Sequence, residues 1–168
     1  MLKEFERLYL DHNEYVLKFL LRISNGDYIM AEELTQETFY RAYIASAKFE
    51  GRCNVKTWLC QIAKNCYFMQ LRKAKRIDRY GKLYNEERIN GKSVSPQLIY
   101  ENKETYFKII EIINEMSSLM KDVMIYRIFA ELSYKEIAKL MNKKEVSIKV
   151  MYCRGKAIIK EKLKGEFN

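Results

Sequence analysis

Apolar residues recur at helical spacing in several long stretches of the chain, and this periodicity predicts an all-α protein. Over 2–23, one face collects the large apolar side chains, among them Val16, Phe19 and Leu20, at the intervals typical of a half-buried helix. The same pattern predicts further helices over 28–49, 55–77, 98–115 and 119–130. No stretch of convincing length alternates apolar and polar residues, so no strand is predicted.

The stretch 132–163 predicts two helices joined by a tight polar turn. Ser133 and Glu136 form a capping-box signature at the start of the first helix. Asn142 stands where the chain must turn sharply, and asparagine adopts the left-handed conformation more readily than most residues. The predicted buried stripe of the second helix comprises Ile148, Tyr152, Gly155, Ile159 and Leu163. Two short helices around a tight turn, the second one basic, are typical of a DNA-binding helix-turn-helix.

The opposite face of that second helix is predicted to contact DNA. It carries Lys149, Val150, Cys153, Arg154 and Lys156. A major groove admits one helix, and the phosphates beside it attract cations on the flanks of that helix. A basic face that is merely solvated is the alternative, which the preceding helix and turn disfavour.

Charge is unevenly distributed along the 168 residues, whose net charge is +9. Segments 64–92 and 143–168 carry net charges of +6 and +5, whereas the segments before each of them are both −1. Two basic segments separated by nearly neutral ones suit a protein that touches a polyanion at two places.

The first basic segment contains aromatic residues at Tyr67 and Phe68. Cations interleaved with aromatics suit single-stranded nucleic acid, because bases stack while phosphates are neutralised. Alternatively, Trp58, Tyr67 and Phe68 are simply core residues of the helix over 55–77. Asn54 is a candidate N-cap for that helix.

The residue content argues against metal or cofactor binding and against catalysis. Cys53, Cys60, Cys66 and Cys153 show no C-x-x-C spacing, and the single histidine, His12, is far from them in sequence. Reduced structural thiols are therefore expected, with no cofactor and no metal. The sequence also offers no phosphate loop and no material for a catalytic triad, so a protein that is not an enzyme is favoured.

Membrane insertion is not expected either. The chain has no run of about eighteen apolar residues, and its N-terminal stretch is charged and amphipathic rather than a signal peptide. A cytoplasmic protein is the prediction.

A domain boundary is predicted after the basic-aromatic helix. The following stretch is rich in glycine, asparagine and serine, contains Pro96 and lacks sustained periodicity. We predict one helical domain over 1–78, a linker over 79–98 and a second helical domain over 99–168.

Three motifs, AEELTQETFYRAY, FEGRCNVKTWLCQIAKN and LSYKEIAKLM with a basic helix after it, resemble the bacterial RNA polymerase σ factors of the extracytoplasmic function (ECF) group. The resemblance covers nearly the whole chain, in the order and spacing of the family. It implies a region 2-like bundle and a region 4-like helix-turn-helix joined by a flexible linker. It also implies an alternative σ factor that binds core RNA polymerase and directs it to specific promoters. The implied partners are the clamp and flap of core RNA polymerase, promoter DNA and an anti-σ factor.

The resemblance also implies roles for individual residues. The clamp-binding helix is matched by Glu33, Gln36, Phe39 and Tyr43. Recognition and melting of the −10 element are expected of region 2, and the residues concerned are Arg52, Asn54, Val55, Lys56, Lys64, Asn65, Arg72, Lys73 and Arg76. Within this set, Asn65 matches a base-contacting position. The −35 element is expected to be read by the exposed face of the last helix, Lys149 to Lys156.

The sequence departs from the family pattern at three positions. Met69 stands where the family usually has aspartate, Asn142 where the turn usually holds glycine, and Gly155 where alanine is usual. Glycine in a helix interior costs about 1 kcal/mol relative to alanine.

A free-standing helix-turn-helix regulator is the alternative function. Such a protein needs a ligand-binding or dimerisation domain. The N-terminal half instead predicts a polar docking helix followed by a basic-aromatic helix, which favours the σ factor.

Overall fold

The computed structural model describes residues 2–80 and 103–166, and this part of the chain is α-helical with no strand. Its helices are α1 (Leu2–Ile23), α2 (Tyr28–Ala45), α3 (Val55–Tyr80), α4 (Lys103–Glu115), α5 (Ser118–Ile128), α6 (Tyr134–Met141) and α7 (Glu145–Glu166). A short 3₁₀ turn, Ser46–Lys48, follows α2. The predicted all-α fold is confirmed.

Two predicted boundaries differ from the observed ones. α2 ends four residues before the predicted 49, and the Ser46 hydroxyl donates to the carbonyl of Tyr43 over 2.7 Å, a local bond that competes with further helix. α3 continues to Tyr80 and so includes the start of the predicted linker. The rest of that linker, and positions 98–102 of the predicted fourth helix, lie outside the described residues.

The described backbone forms two compact units. The first contains α1, α2 and the part of α3 from Leu59 onward; the second contains α4 to α7 together with the segment Glu50–Trp58. The predicted division into domains over 1–78 and 99–168 stays a prediction.

The core of the first unit lies where α1 and α2 pack together. Val16, Phe19 and Leu20 are fully buried, as the periodicity of the first helix predicts. Thr38 is also buried, and its hydroxyl donates to the carbonyl of Leu34 over 2.6 Å. Its polar atom is therefore satisfied within the helix.

The core of the second unit lies between α5 and α7. Met124 of α5 and Ile148 of α7 are fully buried. Gly155 is buried on the same side of α7, and a Cβ atom built there would lie 2.4 Å from the Met124 sulfur. A side chain at 155 would therefore overlap α5 at the present spacing.

Candidate polymerase and nucleic-acid interfaces

The capping box predicted at the start of α6 is present. The backbone N–H of Glu136 donates to the Ser133 hydroxyl over 3.2 Å, and the backbone N–H of Ser133 donates to the Glu136 carboxylate over 2.8 Å. Burial raises the pKa of the Glu136 carboxyl, but the hydrogen bonds from Ser133 and Asn54 and the charge of Lys56 together lower that pKa. The first helix of the motif therefore begins at a fixed position.

The tight turn between α6 and α7 also follows the prediction. Asn142 adopts the left-handed conformation, with φ 51° and ψ 51°. The N–H of Asn142 donates to the carbonyl of Lys139 over 3.3 Å, and the N–H of Lys143 donates to the carbonyl of Ala138 over 2.9 Å. These two bonds satisfy carbonyls at the end of the helix. This turn sets where α7 starts relative to α6.

Within the second unit, α7 presents one face to the core and the predicted DNA-reading face to solvent. Ile148 and Gly155 are buried, and the other predicted stripe residues are partly buried. The opposite face is exposed at every predicted position, Lys149, Val150, Cys153, Arg154 and Lys156. The helix thus buries one face and exposes the predicted DNA-reading face, as the sequence predicts.

Two of the exposed lysines are positioned by neighbouring side chains. The Lys149 ammonium lies 2.8 Å from the Glu145 carboxylate and 5.8 Å from the centre of the Tyr134 ring. Lys156 lies 5.7 Å from the centre of the Tyr152 ring, which itself packs edge-on against Tyr134. The hydrogen bond that the Lys149 ammonium donates to the Glu145 carboxylate raises the pKa of Lys149.

Removing the capping box is expected to destabilise the second unit. Ser133→Ala should lower the free energy of unfolding by about 1 kcal/mol, because an orphan backbone donor loses its partner. Urea titrations monitored by circular dichroism measure this loss, and unchanged stability would contradict the role of the box.

The same box predicts a pH dependence. Folding lowers the pKa of Glu136, so the ionised carboxylate stabilises the folded state. This stabilisation is fully present above the pKa of Glu136 in the unfolded chain, and it is lost as the pH falls through the pKa in the folded chain. Glu136→Gln, which retains an acceptor, is the matched control and should lose this part of the acid sensitivity.

The face of α2 predicted to bind polymerase is only partly as expected. Glu33 and Gln36 are exposed, and Tyr43 is partly exposed. Phe39 is the exception, because it is 3% exposed and its ring packs against Tyr9 with 4.9 Å between centroids. The predicted contact of Phe39 with polymerase does not fit this placement; the residue packs α2 against α1 instead.

Four large apolar side chains of α2 are exposed and were not among the predicted docking residues, and three of them are more than half exposed. Ile29, Tyr40 and Ile44 are 61%, 62% and 61% exposed. Their spacing from Glu33 and Gln36 places all five on one face of the helix. We call these five residues the α2 face.

A cavity of about 510 Å³ lies beside the α2 face, between α2 and α3. The Arg41 guanidinium donates to the Glu37 carboxylate over 2.5 Å and lies 3.8 Å from the Met69 sulfur. Met69 thus provides only a weak acceptor where an aspartate would provide a charged one. Cys66 also lines this cavity, and burial raises the pKa of its thiol.

The exposed side of α3 carries the polar and basic residues expected at the −10 element. Asn65, Arg72 and Arg76 are exposed and, at spacings of seven and four, share one face. Lys73 is exposed beside them. We call these four residues the α3 face.

The remaining predicted −10 residues are placed differently. Asn54 caps α3, since its side-chain oxygen accepts from the N–H of Thr57 over 2.7 Å; Arg52 is exposed and lies 2.5 Å from Glu50. Val55 and Lys56 are partly buried. Lys64 is 8% exposed, so its predicted role at the −10 element does not fit this placement.

The sequence left open whether the aromatic residues of α3 belong to the core or stack on bases, and Tyr67 and Phe68 differ in this respect. Tyr67 is a core residue, and burial raises its pKa to about 12. Phe68 packs edge-on against Tyr67, with 5.3 Å between centroids, and remains partly exposed. Of this pair, Phe68 is therefore the ring that retains exposed surface.

Two family models match this chain in the order that the surfaces predict. Sigma-70 region 2 matches residues 8–77, which include the α2 and α3 faces, and Sigma-70 region 4 matches residues 106–159, which include α6 and α7. The chain belongs to the sigma-70 factors of bacterial RNA polymerase.

Curated relatives of this σ factor come from Bacillus subtilis (strain 168). The chain is 29% identical over 160 residues to the ECF RNA polymerase sigma factor SigM, covering 92% of each chain. It is also 29% identical over 143 residues to the RNA polymerase sigma factor YlaC, covering 81% of this chain and 78% of that protein.

Solved structures share the fold of this σ factor. The sigma factor RpoE from Bartonella quintana, solved in complex with the anti-sigma factor NepR, gives a TM-score of 0.63 at 23% identity and covers 96% of this chain and 98% of its own. CnrH, solved with the cytosolic domain of CnrY, gives 0.62 at 14% identity, with coverages of 98% and 90%.

None of the four cysteines of this σ factor, all of which lie within the described residues, forms a disulfide. Cys60 and Cys66 are buried, whereas Cys153 is exposed on the DNA-reading face. Within residues 2–80 and 103–166, no cluster of metal-ligating side chains is found. No helix of the described chain is long and apolar enough to cross a membrane.

Proposed function

We propose that this σ factor binds core RNA polymerase through the α2 face and directs it to specific promoters. The helix-turn-helix of α6 and α7 reads the −35 element, and the α3 face recognises and melts the −10 element. The σ factor supplies recognition and strand opening, while polymerase supplies catalysis. Because the partners are polymerase and the chromosome, we expect it to act in the cytoplasm.

The proposal rests on one difference between α2 and α7: their exposed faces carry different kinds of side chain. The exposed face of α7 is basic and stands on a capped helix-turn-helix, as a duplex-reading helix requires. The α2 face is apolar with an acidic and an amide side chain and has no cation, so it suits a protein partner and not DNA.

An anti-σ partner is part of the proposal. Two proteins with this fold were solved with a bound partner: the sigma factor RpoE with the anti-sigma factor NepR, and CnrH with the cytosolic domain of CnrY. A protein that covered a DNA-reading face of this chain would block promoter binding directly.

The experiment that tests the function combines the purified chain with core RNA polymerase. Co-elution of the two, and run-off transcripts from a subset of a genomic promoter library that core enzyme alone does not transcribe, are expected. Duplex binding without any association with core enzyme would instead favour the free-standing regulator.

Asn65→Ala is expected to impair promoter opening more than promoter binding. Trapping an unpaired base recovers part of the few kcal/mol lost by unstacking it, and stacking on an aromatic such as Phe68 contributes about 1–3 kcal/mol. Closed-complex affinity should change little, while permanganate reactivity of the −10 thymines should fall several-fold. Arg72→Gln is the control, because loss of a phosphate contact should weaken binding overall and reduce its salt dependence. Normal opening with only weaker duplex affinity in Asn65→Ala would show that the α3 face is a non-specific landing surface.

A further inference from the structure

The centre of the exposed face of α7 is apolar. Val146 and Val150 are 70% and 43% exposed, and Cys153 and Ala157 continue the same line along the helix. The spacings of four, three and four residues put these side chains one above another on a single stripe. The core of the second unit is contacted by the other side of α7, so packing does not explain this stripe.

Cations border the stripe on both sides. Lys149, Lys156 and Lys160 lie along one edge, and Arg154 lies along the other; all four are exposed. An apolar strip flanked by cations is complementary to a major groove, where phosphates border the base edges. A protein partner that bound an apolar strip would instead be expected to offer acidic side chains to these cations.

The apolar side chains of the stripe limit which groups of a base edge they can contact favourably. Valine side chains neither donate nor accept hydrogen bonds. On the base edges of the major groove, the thymine C5-methyl is the apolar group available for contact. Val146 lies in the first turn of α7, and the N-terminal residues of a recognition helix are those that reach base edges.

We propose that Val146 and Val150 are specificity-determining residues that read thymine methyl groups in the −35 element. The flanking cations hold the phosphates, and the two valines favour thymine at the positions that they cover. This inference rests on the proposed function and adds to it the chemical class of base and a residue, Val146, outside the predicted DNA-binding set.

The test uses holoenzyme assembled from the full chain and core polymerase. A duplex pool randomised over the −35 element is selected for binding, and each thymine of the best-bound duplex is then replaced singly by deoxyuracil, which lacks only the methyl. At one or two positions, wild-type holoenzyme should bind about fourfold more weakly, the value of one buried CH₂. Val146→Ala and Val150→Ala should each remove the penalty at one of these positions.

Two control variants separate methyl reading from general affinity. Arg154→Gln should weaken binding to the thymine and uracil duplexes by the same factor. The uracil duplex should therefore still bind more weakly than the thymine duplex. Leu119→Ala removes an exposed apolar residue of α5. It should change neither the overall affinity for the duplex nor the loss of affinity caused by uracil. Unchanged thermal melting of the valine variants is expected, because both side chains are exposed.

Each contrary outcome has a distinct meaning. Equal affinity for thymine and uracil at every position, or a penalty that persists in both valine variants, overturns the methyl-reading proposal alone. A pool that yields no preferred sequence overturns promoter recognition by this helix as well. Loss of polymerase or protein binding in the valine variants, without any methyl effect, would assign the stripe to a protein partner instead.

Discussion

Replacing Tyr40 and Ile44 of α2 together by alanine is expected to weaken binding of this σ factor to core RNA polymerase by about 100-fold. Burial of a large apolar side chain at an interface stabilises it by about 1.5–3 kcal/mol, and two at the lower value correspond to roughly two orders of magnitude in affinity. Both side chains are mostly exposed in the free chain, so the fold should not suffer. Fluorescence anisotropy of the labelled chain against core enzyme measures the change.

Polar and apolar members of the α2 face should contribute unequally. Ala substitutions at Glu33 and Gln36 should weaken assembly less than those at Tyr40 and Ile44, because polar groups at a rim remain solvated. Leu10→Ala is the matched control, since Leu10 is an exposed apolar residue of α1 outside the face. Unaltered affinity in the Tyr40/Ile44 variant, or an equal loss in Leu10→Ala, would remove the α2 face from the polymerase interface.

Local chemistry explains which features the sequence could predict. Ser133, Glu136 and Asn142 determine the start and end of α6 through bonds within a few residues of each other, so composition and spacing were sufficient. Helical spacing likewise predicts the exposed cations of α7. Because Ile148 lies in the core, the side chains on the opposite face of the helix are exposed to solvent.

Packing between helices explains what the sequence did not show. Both Phe39 and Tyr40 are aromatic, and which one is buried depends on where α1 lies against α2; the structure buries Phe39 and exposes Tyr40. The burial of Lys64 likewise depends on contacts beyond α3 itself. Val146, by contrast, lies four residues before Val150, so helical spacing alone could have placed it on the DNA-reading face.

The role of Gly155 in stability also depends on packing between helices, which the sequence alone does not show. From the sequence, a glycine inside α7 is a cost in helix propensity of about 1 kcal/mol. The structure shows a packing reason for it, since a Cβ atom at 155 would lie 2.4 Å from the sulfur and 3.0 Å from Cγ of Met124. Met124 is fully buried, so its side chain has no open solvent into which to move.

Gly155→Val is therefore expected to destabilise the second unit by about 3 kcal/mol, and Gly155→Ala by about 1 kcal/mol. Overpacking a close-packed core costs about 1–3 kcal/mol; alanine offsets part of this through its higher helix propensity, whereas valine gains little propensity and adds two more methyl groups. Urea unfolding monitored by circular dichroism gives both values.

Gly165→Ala is the matched control, because Gly165 lies in the same helix and a Cβ there meets nothing within 4 Å. That substitution should stabilise by a few tenths of a kcal/mol near the frayed end of the helix. A second test is coupling: if the clash with Met124 is the cause, Gly155→Ala and Met124→Ala together should cost less than the sum of the two single changes. Strict additivity, or a stabilising Gly155→Ala, would mean that α5 and α7 can separate without loss, and that the glycine is not needed for their close approach.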